Sequence, residues 1–296
     1  MPSIDLEYPS EPFSTVKRYN SRGEYSISEL LGLPPSPQYM PRRCSNLSHS
    51  AHYALETIHT LINSSPILNV SFNPPNSPFP TILPMIGQMG SFARPSADLG
   101  DVLELYLHGY VSSRVMNLTR TSPEGETGLP VCVSASFVDG LVLALTPNAH
   151  SYNYRSAVLF GYAELVTDVE EKLFAMELIT NGVVRDRWRH TRVPPNAAEM
   201  ASTSVLRVRV KTGSAKIRSG QPHDDKADVD DEALLDSVWT GVVPVYQTYG
   251  TPVPSPYNRI EVPDYLKEHA RDENSFAKET AETNAVKETV PPKVRE

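Results

Sequence analysis

Apolar and polar positions along the chain follow two repeats. From 47 to 63, Leu47, Ala51, Ala54, Leu55, Ile58, Leu61 and Ile62 recur every three or four residues, which predicts a helix with one apolar face. Ser64-Ser65-Pro66 ends it, because the residue before a proline is pushed out of the α region. Strand-like runs follow at 67–72, 80–89, 102–108, 131–138, 141–146, 157–166 and 205–218. Alternation is cleanest in the last run, where Arg207, Arg209 and Lys211 fall on one side and Leu206, Val208 and Val210 on the other. Asp139-Gly140 stands between two apolar runs and predicts a tight hairpin turn there.

Two helices interrupt the strands. Thr167-Asp168-Val169-Glu170 reads as a capping box with Thr167 at the cap, and Asn181-Gly182 as the stop. Asn196-Ala197-Ala198-Glu199 repeats the capping logic for a short helix to about Ser202. A further helical piece is expected at 26–31, an acidic loop at 221–236, and a last strand or docking segment at 239–246. Residues 1–45 read as an irregular, proline-broken arm, and 46–246 as the folded domain. Residues 247–296 read as a proline-containing extension with a charged tail that is disordered or a loose helix from Lys267 onward. No internal repeat is visible. Six or seven mostly antiparallel strands with a few peripheral helices predict a mainly β (α+β) fold, most economically a small closed barrel, since closure removes exposed edges.

Composition narrows the function. Lysine and arginine total 27 against 35 acids, a net charge of −8, so the chain lacks the field that draws in nucleic acid. No run approaches the roughly 20 apolar residues of a spanning helix, and the first residues lack the basic and apolar regions of a secretory signal. The two cysteines, Cys44 and Cys132, cannot build a disulfide framework, which fits a reducing, cytoplasmic setting. The 27 prolines in 296 residues, about 9% against a usual value of about 5%, argue against a helical bundle. Signatures for dinucleotide loops, P-loops, helical zinc sites and the hydrolase nucleophile elbow are absent, and no metal is expected.

Four strings carry candidate chemistry. In Leu107-His108-Gly109-Tyr110-Val111-Ser112-Ser113-Arg114 a strand ends at a glycine and is followed by two hydroxyls and a guanidinium. A phosphate dianion wants such a set: a forked cation, hydroxyl donors and exposed N–H groups. A polar strand–loop junction would look the same. His150-Ser151-Tyr152-Asn153-Tyr154-Arg155-Ser156 crowds polar and aromatic groups before a strand, a rim suited to a planar heterocycle or a loop whose tyrosines cap the core. His150 is a candidate proton donor. Lys216 and Arg218 share a face of a strand and point at an anion or at water. Trp239, close to Gly241, closes a core or an interface, or stacks on a ligand ring.

Taken in order, Leu105-Tyr106-Leu107-His108-Gly109, Val131-Cys132-Val133-Ser134-Ala135-Ser136, Val138-Asp139-Gly140-Leu141-Val142-Leu143-Ala144, His150 through Val158, Phe160-Gly161, Ser214 through Asp225 and Trp239 through Pro244 form a familiar series. The chain resembles the flavin-nucleotide-binding branch of the pyridoxamine 5′-phosphate oxidase-like proteins, near the nitroimidazole-resistance proteins, over about residues 12–246. The resemblance implies a split β-barrel that binds FMN at a homodimer interface. It implies that His108, Gly109, Ser112, Ser113 and Arg114 hold the ribityl phosphate, and that Thr81, Leu83 and Pro84 run beside the flavin ring. Asn153, Tyr154, Arg155 and Ser156 would face the flavin, often from the partner subunit, with Lys216, Arg218 and Trp239 nearby. Ala144-Leu145-Thr146 departs from the family's frequent Ala-Arg-Ser, and Asn148-Ala149-His150 keeps one histidine where two are common. Residues that hold substrate phosphate in the vitamin B6 oxidase itself are not recognisable. The function expected is an FMN-dependent oxidoreductase acting on a small molecule; the alternative is a flavin-free binding protein for haem or another planar ligand on the same fold.

Overall fold

Long strands with one buried and one open face wrap into a closed barrel, because an antiparallel sheet must cover its apolar side. The computed structural model describes residues 24–26, 47–120 and 128–287. The elements run β1 (Glu24–Ser26), α1 (Leu47–Asn63), β2 (Leu68–Phe72), β3 (Thr81–Gly90), β4 (Glu104–Tyr110), α2 (Arg114–Arg120), β5 (Leu129–Leu143) and β6 (Ser151–Leu165). They continue as α3 (Val169–Val183), α4 (Ala197–Ser202), β7 (Thr203–Arg218), α5 (Lys226–Val229), α6 (Glu232–Ser237), β8 (Gly241–Pro244) and α7 (Asp264–Val286). Hydrogen bonds connect β7-β4-β3-β2-β5-β6 in that order, and β6 pairs back onto β7, so six antiparallel strands close. β1 adds to β7 and β8 to β5. This is the closed antiparallel barrel with peripheral helices that the patterning predicts, and it fits the split barrel that the resemblance implies.

The core fills the barrel and its end. Val131, Val133 and Ala135 of β5, Ala157 and Leu159 of β6, and Leu105 and Leu107 of β4 meet Leu55, Ile58, Leu61 and Ile62 of α1. Val115 and Met116 of α2 join them. Each fully buried aliphatic side chain contributes on the order of 1.5–3 kcal/mol. A second apolar layer lies outside β4 and β7, where Tyr106, Val166 and Val205 are covered by Ala175 and Ile179 of α3. Arg207 and Arg209, on the basic side of β7, form ion pairs: Arg207 bridges Glu164 and Glu171, and Arg209 pairs with Glu164. Tyr106 donates to Glu171 across 2.9 Å, and burial and that carboxylate push its phenol far up.

Several local expectations are corrected. Asp139-Gly140 is not a turn: β5 runs unbroken from Leu129 to Leu143, and the register slips between Val138 and Gly140, leaving Asp139 as a β-bulge. The connection to β6 is made by the 144–150 segment with Pro147–Ala149 at its centre. The cap of α3 is Asp168, not Thr167, and its carboxylate accepts from the Glu171 N–H. Asn196 and Glu199 do form a reciprocal capping box. The acidic 221–236 stretch holds two short helices, α5 and α6. The tail from 264 to 286 is a 23-residue helix with Ala281 and Ala285 buried. Apart from β1, the N-terminal arm and the helix expected at 26–31 lie outside the described residues. Among the described residues no helix is long and apolar enough to cross a membrane.

Candidate functional site

β4 ends at the first candidate cluster. His108 sits opposite Ile86 of β3 and Val205 of β7. It lies on the open face, yet protein crowds its ring and holds the imidazole below its ordinary value. Gly109 packs closely on the core: a Cβ there would lie 2.7 Å from Met116 Cε and 3.4 Å from Met85 Cε. The chain then turns, with the Ser113 N–H donating to the Tyr110 carbonyl at 2.9 Å, and α2 begins at Arg114. Ser113 Oγ is buried and has no hydrogen-bond partner. Ser112 and Arg114 are exposed. Nearby Arg120 is already committed, donating to the Val111 carbonyl, Asn117 Oδ1 and Ser204 Oγ.

An open strip extends from His108 across β3. Ile86 (40% exposed), Pro84 and Ile82 (62% exposed) lie on its outer side, whereas Thr81 and Leu83 are half-buried and Leu83 packs on the core. The strip is largely apolar, and β4 leads from its His108 edge into the turn that carries Ser113 and Arg114.

The second cluster is built differently from what the motif suggests. Asn153 is fully buried; its amide donates to the Gly220 carbonyl at 3.1 Å and its Oδ1 accepts from Arg218 at 2.6 Å. Arg155 is bound to Asp139 through two hydrogen bonds and lies 4.9 Å above the Phe137 ring. Arg218 is 3% exposed. Asn153, Arg155 and Arg218 therefore serve a buried polar network. Tyr154, Ser156 and Lys216 are half-buried; Ser156 donates to the Lys216 carbonyl at 3.2 Å. Trp239 is 65% exposed and does not close a core; its ring rests against Gly241. His150 bonds the Thr146 carbonyl through Nδ1 at 2.9 Å. Leu145, where an arginine is frequent in the resembling family, is buried and its N–H donates to Asp224.

The two clusters do not meet within one chain. Val205, opposite His108, and Lys216, opposite Ser156, are separated by eleven residues along β7, roughly 36 Å of strand. β4 and β6 stand two strands apart in a six-stranded closed sheet, so their outer faces diverge by roughly 120°. Sequence reasoning missed Asp139 and Asn284 as members of the polar network. Asn284 Nδ2 donates to Asp139 Oδ2 at 2.9 Å across 145 positions, and no local pattern signals such a pair.

Among the described residues no group of three or more histidine, cysteine, aspartate or glutamate side chains is placed to hold a metal. The donors at β4–α2 suit a phosphate instead. Ser113 offers a buried hydroxyl with no internal partner and Arg114 a charged fork.

The model of the family described as pyridoxamine 5′-phosphate oxidase matches residues 55–217, more than half of the chain. A comparison with curated proteins finds no match. Among solved structures, the flavocytochrome Anf3 from Azotobacter vinelandii is 26% identical, with a TM-score of 0.59 over 73% of this chain and 90% of that one. The FAD and haem binding protein from Mycobacterium smegmatis is 26% identical, with a TM-score of 0.58 over 73% of this chain and 93% of that one.

Proposed function

The chain belongs to the pyridoxamine 5′-phosphate oxidase family, and from that premise we propose that it is a flavin-dependent oxidoreductase acting on a small molecule, with FMN held between two copies of the chain. The observation that carries the reading is the buried, unpartnered Ser113 hydroxyl beside Arg114 at the end of β4. A buried hydroxyl without a partner costs about 1–3 kcal/mol, and a phosphate oxygen supplies the missing acceptor. Arg114, Ser112 and His108 complete the grip, and the exposed Pro84–Ile86 strip offers an apolar wall for a ring.

When bound, the flavin supplies hydride or electron transfer. The protein's part is to orient and to shield. Ser113 and Arg114 fix the anionic end. Ile82, Pro84 and Ile86 exclude water from one side. Tyr154, Ser156 and Lys216 point outward on a distant sector of the barrel, so they reach the same ligand only from a partner copy. The names of the two similar structures, a flavocytochrome and an FAD and haem binding protein, support a flavin and leave two forms of it, FMN and FAD, with the same ribityl phosphate. Nothing in the charge or the described helices places the chain in a membrane, and a cytoplasmic setting belongs to this reading.

A subunit-mixing experiment tests it. Arg114→Ala and Lys216→Ala are each expected to bind little flavin. Unfolding and refolding them together is expected to restore binding, because each mixed dimer contains one intact site. Chromatography of the released cofactor separates FMN from FAD. Failure of mixing to restore any binding, with both parents deficient and dimeric, contradicts the shared site.

The names of the same two structures favour a second reading, a haem site on this fold. It predicts a Soret band on addition of haem that survives Arg114→Ala.

A further inference from the structure

We propose that the last turn of α7 clasps the flavin-facing edge of β6, with Asn284 and Asp139 as positioning residues. The proposal rests on the flavin reading above. Four hydrogen bonds make the clasp. The Asn284 carbonyl accepts from the Gly220 N–H at 2.7 Å and from Asn153 Nδ2 at 3.3 Å. Asn284 Nδ2 donates to Asp139 Oδ2 at 2.9 Å, and the Ala285 carbonyl accepts from Gln221 Nε2 at 2.8 Å. Ala281 and Ala285, one turn apart, are buried beneath these contacts.

The clasp closes on groups that set the pitch of one strand. Asp139, the bulged residue of β5, holds Arg155 by two bonds, and its carbonyl accepts from the Val245 N–H as the chain leaves β8. Asn153 and Arg155 alternate along β6 with Tyr154 and Ser156. Fixing the first pair therefore fixes the height and direction of the second, and bulges recur where a strand must re-aim a side chain. The other end of α7 is tied down as well: the Tyr265 ring stacks on His190 with centroids 4.2 Å apart, and its hydroxyl accepts from Arg187. A 23-residue helix spans about 34 Å, so α7 links the 187–190 connection to the corner of the barrel at Asp139 and Gly220.

The test uses full-length protein. Asn284→Asp sets a second carboxylate against Asp139, and Asn284→Ala only deletes the donor. FMN affinity is read by flavin fluorescence, the environment of the bound ring by visible circular dichroism, and the clasp itself by hydrogen exchange of residues 264–286. Asn284→Asp is expected to weaken FMN binding about tenfold or more, with Asn284→Ala between it and the parent. It should also alter the visible dichroism at saturating FMN and speed exchange in the last turns of α7. Should Asn284→Asp not fold, Asn284→Ala gives the same three readouts. Unchanged affinity and dichroism with faster exchange would show a helix that merely packs, and overturn the proposal. Unchanged exchange would overturn it too, by showing that no clasp was released. A parent protein that takes up no flavin sinks the flavin reading itself, and the proposal with it.

Discussion

Arg155 grips Asp139 through two parallel hydrogen bonds, Nε to Oδ2 at 2.7 Å and Nη2 to Oδ1 at 2.9 Å, and Asp139 is the residue that bulges from β5. The aspartate side chain is 4% exposed and the arginine 20%, so the pair is held largely out of water. Such a pair is worth little against an apolar substitute, but breaking one side of it is costly. Asp139→Ala strands a half-buried guanidinium and the Asn284 amide together. It is expected to lower unfolding free energy by about 2–4 kcal/mol, measured by urea titration. A loss below about 1 kcal/mol would show the pair to be incidental.

His59 makes stability fall in acid. It lies on α1, 1% exposed, with Nδ1 bonded to the Leu99 carbonyl at 2.7 Å. Burial holds its pKa below the ordinary value, more than the carbonyl raises it. The unfolded chain therefore binds this proton first, from a pH of about 6.5 downward. The contribution is complete above that pH and is lost as pH falls through the folded-state value. His108, also lowered by burial, acts in the same direction. The urea midpoint should drop between pH 7.5 and 5, and His59→Gln should make the drop shallower. An identical pH profile in the variant would remove His59 from this account.

Gly109 tests the close packing behind the phosphate cluster. A valine there meets Met116 and Met85, both side-chain ends that can yield in part. Overpacking of this kind costs about 1–3 kcal/mol. Because Met116 belongs to the first turn of α2, the displacement also moves Ser113 and Arg114. Gly109→Val is expected to lower flavin uptake several-fold more than its loss of thermal stability accounts for, measured by titration at a temperature where it is fully folded. Parent-like uptake would mean that the cluster is not fixed by this contact.

Much of the fold was legible because its determinants are local. Leu55, Ile58 and Ile62 mark the α1 face at helical spacing, and all three are buried in the barrel core. Asn196 and Glu199 signal their own capping box. Asp139-Gly140 misleads because a dipeptide reports only its own backbone preference. Its actual state is set by β8, which pairs Pro244 with Gly140, and by Asn284. The tail reads as disordered or a loose helix for the same reason: its composition is charged, and what orders it is contact with Gly220 and Gln221. At the site, the sequence singled out His108 to Arg114 and Asn153 to Ser156. It could not separate Arg155, spent on Asp139, from Ser113, whose hydroxyl is left without a partner. That difference lies in burial and in distant neighbours.

Everything proposed for this site depends on a flavin phosphate being held by Ser113 and Arg114. Its most direct test is titration of the purified full-length protein and of Arg114→Ala with FMN, followed by the visible spectrum after removal of excess ligand. A yellow parent protein with structured flavin absorption is expected, with at least a tenfold loss of affinity in the variant. A colourless parent, or a variant that retains FMN as tightly as the parent, would contradict it.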